Sequence, residues 1–293
     1  MLLEPVAQCP VCKGKSFQRF LDCKDYTTSG ALFHVEQCTN CSMLLTNPRP
    51  RVEDAPSYYQ STTYISHTSI AISFMDYIYL IVRTLTLRWK YSLVKPYLKH
   101  NQLLDVGSGT GHFLSHCKAQ GVNTYGVEPS AAANAKAQKI PISNSIDNLP
   151  EIKYDVITLW QVLEHIYDLE ITIEKLKARL NENGIIFIAV PNWQALDSIH
   201  YKEKWAAYDV PRHVWHFSKD TMTTLLHNSG LSIKKIVPMK LDAYYVSLLS
   251  EKNSAGGKLS LSSAIKGIMM GYRSNVNAAQ NMNYSSLIYL VQK

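Results

Sequence analysis

A chain of 293 residues that is 46% hydrophobic and 18% charged can bury one full core plus a small appendage, which excludes a disordered protein. Its net charge of +7 admits acidic or phosphorylated ligands, but the lysines and arginines are scattered, which argues against a dedicated nucleic-acid surface. The opening MLLEPVAQCP has no basic stretch leading into an apolar one, so no secretory leader is expected and the chain reads as cytoplasmic.

Residues 1–50 carry two cysteine pairs, Cys9-Pro-Val-Cys12 and Cys38-Thr-Asn-Cys41. A two-residue gap lets both sulfurs of a pair turn toward one ion, so the four thiolates predict a closed structural zinc site in a small ribbon. Disulfides are the alternative, disfavoured in a reducing compartment. With no open coordination position, the metal's expected task is to fold about forty residues that lack enough apolar surface of their own. Zinc ribbons usually place Gly after the second Cys of each knuckle; Lys13 and Ser42 stand there instead. Cys23 and Cys117 read as small core residues.

Residues 51–98 are expected to form a linker and N-terminal helices capping the active site. Apolar residues at Ile70, Phe74, Ile78, Ile81 and Leu85 recur at helical spacing, and Asp76 and Arg83 interrupt the run. The pattern predicts an amphipathic helix over 70–87 and no membrane span.

The stretch QLLDVGSGTGHFLSHCKAQG predicts a strand ending at Asp105 and Val106, a glycine bend, and a helix from His112 to near Gly121. A second strand, NTYGV, then ends at Glu128, about twenty residues after the first glycine. This is the opening βαβ of a doubly wound α/β sheet. A dinucleotide fingerprint would put its third glycine where His112 stands; here Gly107, Gly109 and Gly111 alternate. That spacing suits a compact ligand without a pyrophosphate, with Glu128 accepting the ribose hydroxyls, so S-adenosylmethionine fits better than NAD. A merely tight strand-to-helix turn is the bland alternative.

Further along, YDVITLW running into LEHI predicts a fourth strand, and NGIIFIAVPN a fifth after a turn at Asn183 and Gly184. Taken in order, DVGSGTG, VEPS, YDVITLWQVLEHI and NGIIFIAVPN resemble the class I adenosylmethionine-dependent methyltransferases over roughly residues 80–240. The resemblance implies a Rossmann-like, seven-stranded, mostly parallel sheet with a reversed last strand, occupying 99–293 with a helical insertion at about 243–283. It also implies Asp105, Gly107, Ser108, Gly109 and Gly111 around the methionine half of the cofactor and Glu128 on the ribose. Pro129 and Ile146 would flank the adenine, with Trp160 and Gln161 below. The implied product is S-adenosylhomocysteine.

The cysteine pairs, CSMLLTNPRP, the run from Ser57 to Tyr64 and DVPRHVWHFS further resemble bacterial methyltransferases of sugar and polysaccharide pathways. FSKDTMTTLLHNSGLSIKKIVPM reads as a helix and a sixth strand, residues 251–260 as a mobile loop and SSLIYLVQK as the last strand.

Methyl transfer needs an in-line nucleophile and exclusion of water, with a base where the acceptor carries a proton. His213, with Asp209 and His165 behind it, is the expected base, although a histidine bonded to backbone for structure fits the same pattern. Arg212 is expected either to meet an anionic group of a small-molecule substrate or to form a surface ion pair. Tyr58, Tyr59 and Tyr64 form a lid in this reading, or pack on the core. The absence of Asp-Pro-Pro-Tyr and Pro-Cys motifs disfavours nucleobase methylation of DNA. An RNA methyltransferase is the runner-up among enzymes, followed by an NAD-dependent oxidoreductase; a non-catalytic cofactor-binding, partner-docking protein is the rival from another class.

Overall fold

The protein was described from a computed structural model, covering residues 2–59, 74–130 and 140–293. The N-terminal segment contributes β1 (Leu3–Glu4), β2 (Phe17–Lys24), β3 (Leu32–Cys38), β4 (Leu44–Thr46) and β5 (Arg49–Pro50). After a 3-10 turn at Ala55–Tyr59 comes α1 (Phe74–Val94). Then β6 (Gln102–Val106), α2 (His112–Ala119), β7 (Asn123–Val127) and β8 (Ile142–Ser143) follow. The chain continues through β9 (Tyr154–Trp160), α3 (Leu169–Arg179), β10 (Leu180–Pro191), α4 (Leu196–Tyr201), β11 (Trp215–His216), α5 (Lys219–Asn228) and β12 (Ser232–Pro238). It ends with α6 (Lys240–Ser254), α7 (Leu261–Asn281) and β13 (Ser286–Gln292).

The large sheet has seven strands in the order β12-β13-β10-β9-β6-β7-β8, with β13 antiparallel to both neighbours and the other pairings parallel. Strand β9 is buried along Tyr154–Leu159, and β13 along Ser286–Val291. Near-continuous apolar runs of this kind form where helices cover both faces of a sheet, because no position meets water. The chain order reverses between β6 and β9, so the crevice at their carboxyl ends is the switch point where such sheets bind ligands.

Several expectations change in detail. The helix after the glycine bend stops at Ala119, before Gly121, whose φ is +84°. The fifth strand starts at Leu180: Asn183 and Gly184 lie in an irregularity of β10, not in a turn, and a Cβ on Gly184 would come within 3.0 Å of the Asp155 carbonyl. Residues 251–254, read from composition as loop, are the last turn of α6. Tertiary contacts hold that turn, since Glu251 accepts from Tyr201 and Asn253 donates to the Lys204 carbonyl. In α1, Leu87, Trp89, Tyr91, Leu93 and Val94 meet the core, while Leu85 is 55% exposed. Ile70 falls outside the described residues, and the side chains at 74–82 are not described. Among the described residues no helix is long and apolar enough to cross a membrane.

The cysteine-bearing segment does not stand apart. Strand β11 adds to its small sheet in the order β11-β4-β3-β2, with Trp215 opposite Leu45 and His216 opposite Leu44. Cys9, Val11, Cys38 and Met43 share one buried cluster with Leu104, Ile157 and Trp215.

Candidate functional site

The glycine bend is shaped by close approach. Gly107, Gly109 and Gly111 all have positive φ, at +69°, +52° and +74°. A Cβ on Gly107 would lie 2.4 Å from a methyl of Val162, so only glycine fits there. The Gly107 and Ser108 amides donate to the Val127 carbonyl at 2.7 and 3.0 Å, tying the bend to the end of β7. Glu128, the next residue, turns back to it: one carboxylate oxygen accepts from the Gly109 amide and the other from the Ser130 amide, both at 2.9 Å. Pro129 follows Glu128 and Ile146 opens the 3-10 turn after β8, strand neighbours being fixed by Gly126 opposite Ile142.

Beneath the bend, Asp105 is buried and accepts from the Thr158 hydroxyl at 2.5 Å. Burial lifts its carboxyl to about 7, against the pull of Thr158 and of the Lys90 ammonium. Lys90 lies 4.5 Å over the Trp160 ring, and burial depresses its pKa despite Asp105 and Asp242. Trp160 packs edge-on against Phe113. Gln161 has φ +59°, and its amide nitrogen donates to Asp242 and Ser286 at 2.9 and 3.2 Å. The Ser108 hydroxyl, the Trp160 ring nitrogen and the Gln161 carbonyl oxygen are buried with no hydrogen-bond partner among the described residues. Buried polar atoms are normally satisfied, so orphans gathered around one crevice fit a polar ligand such as adenosylmethionine.

A second cluster stands after β9. Leu163–His165 form a 3-10 turn that presents Glu164 and His165, and the loop before β11 brings His213 beside them. The His165 and His213 rings meet edge to face at 4.6 Å. The His213 Nδ1–H donates to the Ala207 carbonyl at 2.9 Å, leaving Nε2 as an acceptor 4.0 Å from both Glu164 and Asp209. His165 Nδ1 lies 3.0 Å from the Arg212 carbonyl and from the Tyr59 hydroxyl. Burial holds both imidazoles neutral, His165 down at about 3. Glu164 is 1% exposed, neither carboxyl oxygen has a hydrogen-bond partner among the described residues, and burial raises its pKa to about 8. Glu164, His165 and His213 offer ligand atoms within 4.8 Å of one another.

Arg212 departs from expectation. Arg212 is 3% exposed, so it neither faces a substrate nor forms a surface pair. Its guanidinium donates to Asp209 at 2.6 and 2.9 Å, to Asp25 at 3.0 Å and to the Tyr58 carbonyl at 3.1 Å. Asp209 is thereby held as a carboxylate below its usual range against the cost of burial. Tyr58 packs edge-on against Phe33 in the core and is no lid; Tyr59 reaches His165; Tyr64 falls outside the described residues.

The four cysteine sulfurs lie within 4.8 Å of one another, with the Cys9–Cys41 and Cys12–Cys38 pairs at 3.5 Å. Those separations are far beyond a disulfide and match the sulfur spacing of about 3.8 Å around a tetrahedral zinc. The residues are positioned to hold a metal ion, and zinc suits the donor set. In both knuckles the residue after the second Cys is left-handed, Lys13 at φ +61° and Ser42 at φ +62°. The turn that favours glycine is therefore made without it.

The profile of the methyltransferase domain family matches residues 82–236, more than half of the chain. The chain belongs to this family. Among curated proteins it is similar to the ubiquinone biosynthesis O-methyltransferase of Pelagibacter ubique, 29% identical over 167 residues, which is 50% of this chain and 68% of that one. The enzyme of the same description from Bradyrhizobium diazoefficiens is 26% identical over 152 residues, 45% of this chain and 58% of that one. The match thus spans 68% and 58% of these two relatives, and both are described as ubiquinone-pathway rather than sugar-pathway enzymes. Among solved structures, magnesium protoporphyrin IX methyltransferase from Synechocystis PCC 6803 with bound S-adenosylhomocysteine superposes with a TM-score of 0.51 at 14% identity, over 80% of this chain and 97% of that one. That likeness establishes the fold: a Rossmann-like methyltransferase sheet. The protein is an adenosylmethionine-dependent methyltransferase.

Sequence reasoning missed Glu164, Lys90 and Asp25. Glu164 sat in plain view beside His165, but nothing in one sequence says that its carboxylate lies buried without a partner.

Proposed function

We propose that this methyltransferase transfers the methyl group to a hydroxyl oxygen of a small, uncharged acceptor, with His213 receiving the proton. The observation that carries the reading is His213: its Nδ1 is tied to the Ala207 carbonyl, and its Nε2 lies 4.0 Å from Glu164, on the turn just after β9, and 4.0 Å from Asp209. The O-methyltransferase descriptions of the relatives support transfer to oxygen.

Adenosylmethionine supplies a methyl on a positively charged sulfur. Asp105, Gly107, Ser108, Gly109 and Gly111 cradle its amino-acid half, Glu128 accepts the ribose hydroxyls, Pro129 and Ile146 border the adenine, and Trp160 closes the floor. Gln161 holds that floor to α6 and β13 through Asp242 and Ser286. The acceptor hydroxyl donates to His213 Nε2; as the oxygen gains its methyl, the proton passes to the imidazole, and the Asp209 carboxylate steadies the resulting cation. Asp209 acts through its field, because Arg212 already occupies both its oxygens. His165, pinned to the Arg212 carbonyl, positions the His213 ring. With Arg212 spent inside the fold, the expectation of an anionic acceptor loses its cation.

Assaying purified enzyme and labelled cofactor against panels of phenols and of free and nucleotide-linked sugars tests the reading. Methylation at oxygen of one class, with His213→Asn lowering kcat by about 100-fold at unchanged cofactor affinity, is the expected result. Full activity in that variant overturns it. The convergence of Glu164, His165 and His213 favours one other reading, a divalent metal that acidifies the hydroxyl. Activity abolished by a chelator and restored by manganese or iron(II), with the cysteine-bound metal retained, would establish that instead.

A further inference from the structure

Helices α6 and α7 reverse the usual arrangement of a surface helix. The buried side of α7 is made mostly of small residues: Gly267, Gly271, Ser274 and Ala278. A Cβ on Gly271 would lie 2.7 Å from Cα of Tyr244, and one on Gly267 would lie 3.0 Å from Cα of Leu248. The two helix backbones thus approach as closely as glycine permits. The large side chains face outward instead: Leu261, Ile265, Ile268, Met269, Tyr272 and Val276 are 51 to 81% exposed. At 3.6 residues per turn they fall within an arc of about 100°. A helix of a water-soluble protein buries that arc against its core. Small residues at the helix contact with large apolar ones outside is the arrangement of helices solvated by lipid.

Charge says what covers the face. From Lys252 to the last residue the sequence has no Asp or Glu, yet carries Lys252, Lys258, Lys266, Arg273 and Lys293. Both acids of α6 are used inside the fold, Asp242 by Gln161 and Glu251 by Tyr201. Lys266 and Arg273, seven positions apart and both exposed, flank the apolar arc on one side, where their stems can lie along it and their charges reach out. A second copy of the same face would bring these cations together with no acid to meet them.

We propose that the outer face of α7 docks on an anionic lipid surface, lying in the headgroup region rather than crossing the bilayer. Neither helix is long and apolar enough to span one. The face lies outside the methyl-transfer residues, so the inference stands independently of the acceptor.

Flotation of the full chain with vesicles of phosphatidylcholine alone, or mixed with phosphatidylglycerol, tests it. Binding to the mixed vesicles only is expected. A double variant, Lys266→Gln with Arg273→Gln, should bind about 25-fold more weakly, about five-fold for each cation near the surface. Ile268→Glu with Met269→Glu should abolish binding while S-adenosylhomocysteine affinity is kept, which shows that the variant is folded. Equal partition into both vesicle types, or none into either, overturns the proposal. So does a dimer in light scattering that the Ile268→Glu/Met269→Glu variant dissolves, because a second copy then covers the face.

Discussion

Replacing Arg212 with methionine tests the internal junction on which the catalytic loop rests. The guanidinium is fully enclosed and is the shared partner of Asp25, from the N-terminal segment, and Asp209, from the loop that carries His213. Methionine approximates the side chain's length but leaves Asp209 without its two donors. Asp25 keeps the amides of Thr27, Thr28 and Ser29 and loses only its charge partner. Breaking a buried pair by removing one member costs about 3–5 kcal/mol, because a charge stays buried without compensation. Set against a total of about 5–15 kcal/mol, that removes a large share of the stability. For a chain of this size it corresponds to a fall in Tm on the order of 5 to 15 °C. Thermal unfolding by circular dichroism reads the effect. The double variant Arg212→Met with Asp25→Asn should recover part of the loss, since the cycle isolates the coupling between them. A Tm for Arg212→Met within about 2 °C of the parent would refute the idea that this junction holds the two parts together.

The remaining predictions concern the individual sites. Glu164 ionises near 4.5 when unfolded and at about 8 when folded, so between those values the folded chain holds a proton that the unfolded chain has released. Its contribution to stability is therefore fully present below about pH 4.5 and is lost as pH rises toward 8. Glu164→Gln should remove that slope, and in urea titrations across this range the variant should gain on the parent at alkaline pH; parallel curves would contradict the assignment of burial as the cause. Cys41→Ser should lower bound zinc from one per chain and reduce kcat while sparing adenosylhomocysteine affinity, because β11 and the His213 loop lean on the cysteine-bearing sheet and the glycine bend does not. Metal analysis with turnover reads this, and a metal-free variant of full activity would count against it. Glu128→Ala should weaken adenosylhomocysteine binding by about 100-fold in calorimetry, the loss of charge-assisted hydrogen bonds to the ribose worth about 1.5–3 kcal/mol each. Unchanged affinity would remove Glu128 from the cofactor site.

The sequence alone determined the parts whose causes are local. Alternating glycines at positive φ make a tight bend that leaves no room for a side chain at Gly107, apolar runs between turn residues become buried strands, and cysteines with two residues between them make knuckles even where Lys13 and Ser42 replace glycine. From these the βαβ opening and the thiolate cluster were legible, the seven-stranded sheet followed from the resemblance to a known family, and Glu128 does turn to the bend. Only the tertiary structure decided how distant segments share work. Arg212 meets Asp25 across 187 positions, Trp215 and His216 pair with Leu45 and Leu44, and the Glu164 carboxyl oxygens are buried with no hydrogen-bond partner among the described residues. Those outcomes depend on which surfaces close over which charges, and a charge carries no mark in the sequence of whether water will reach it.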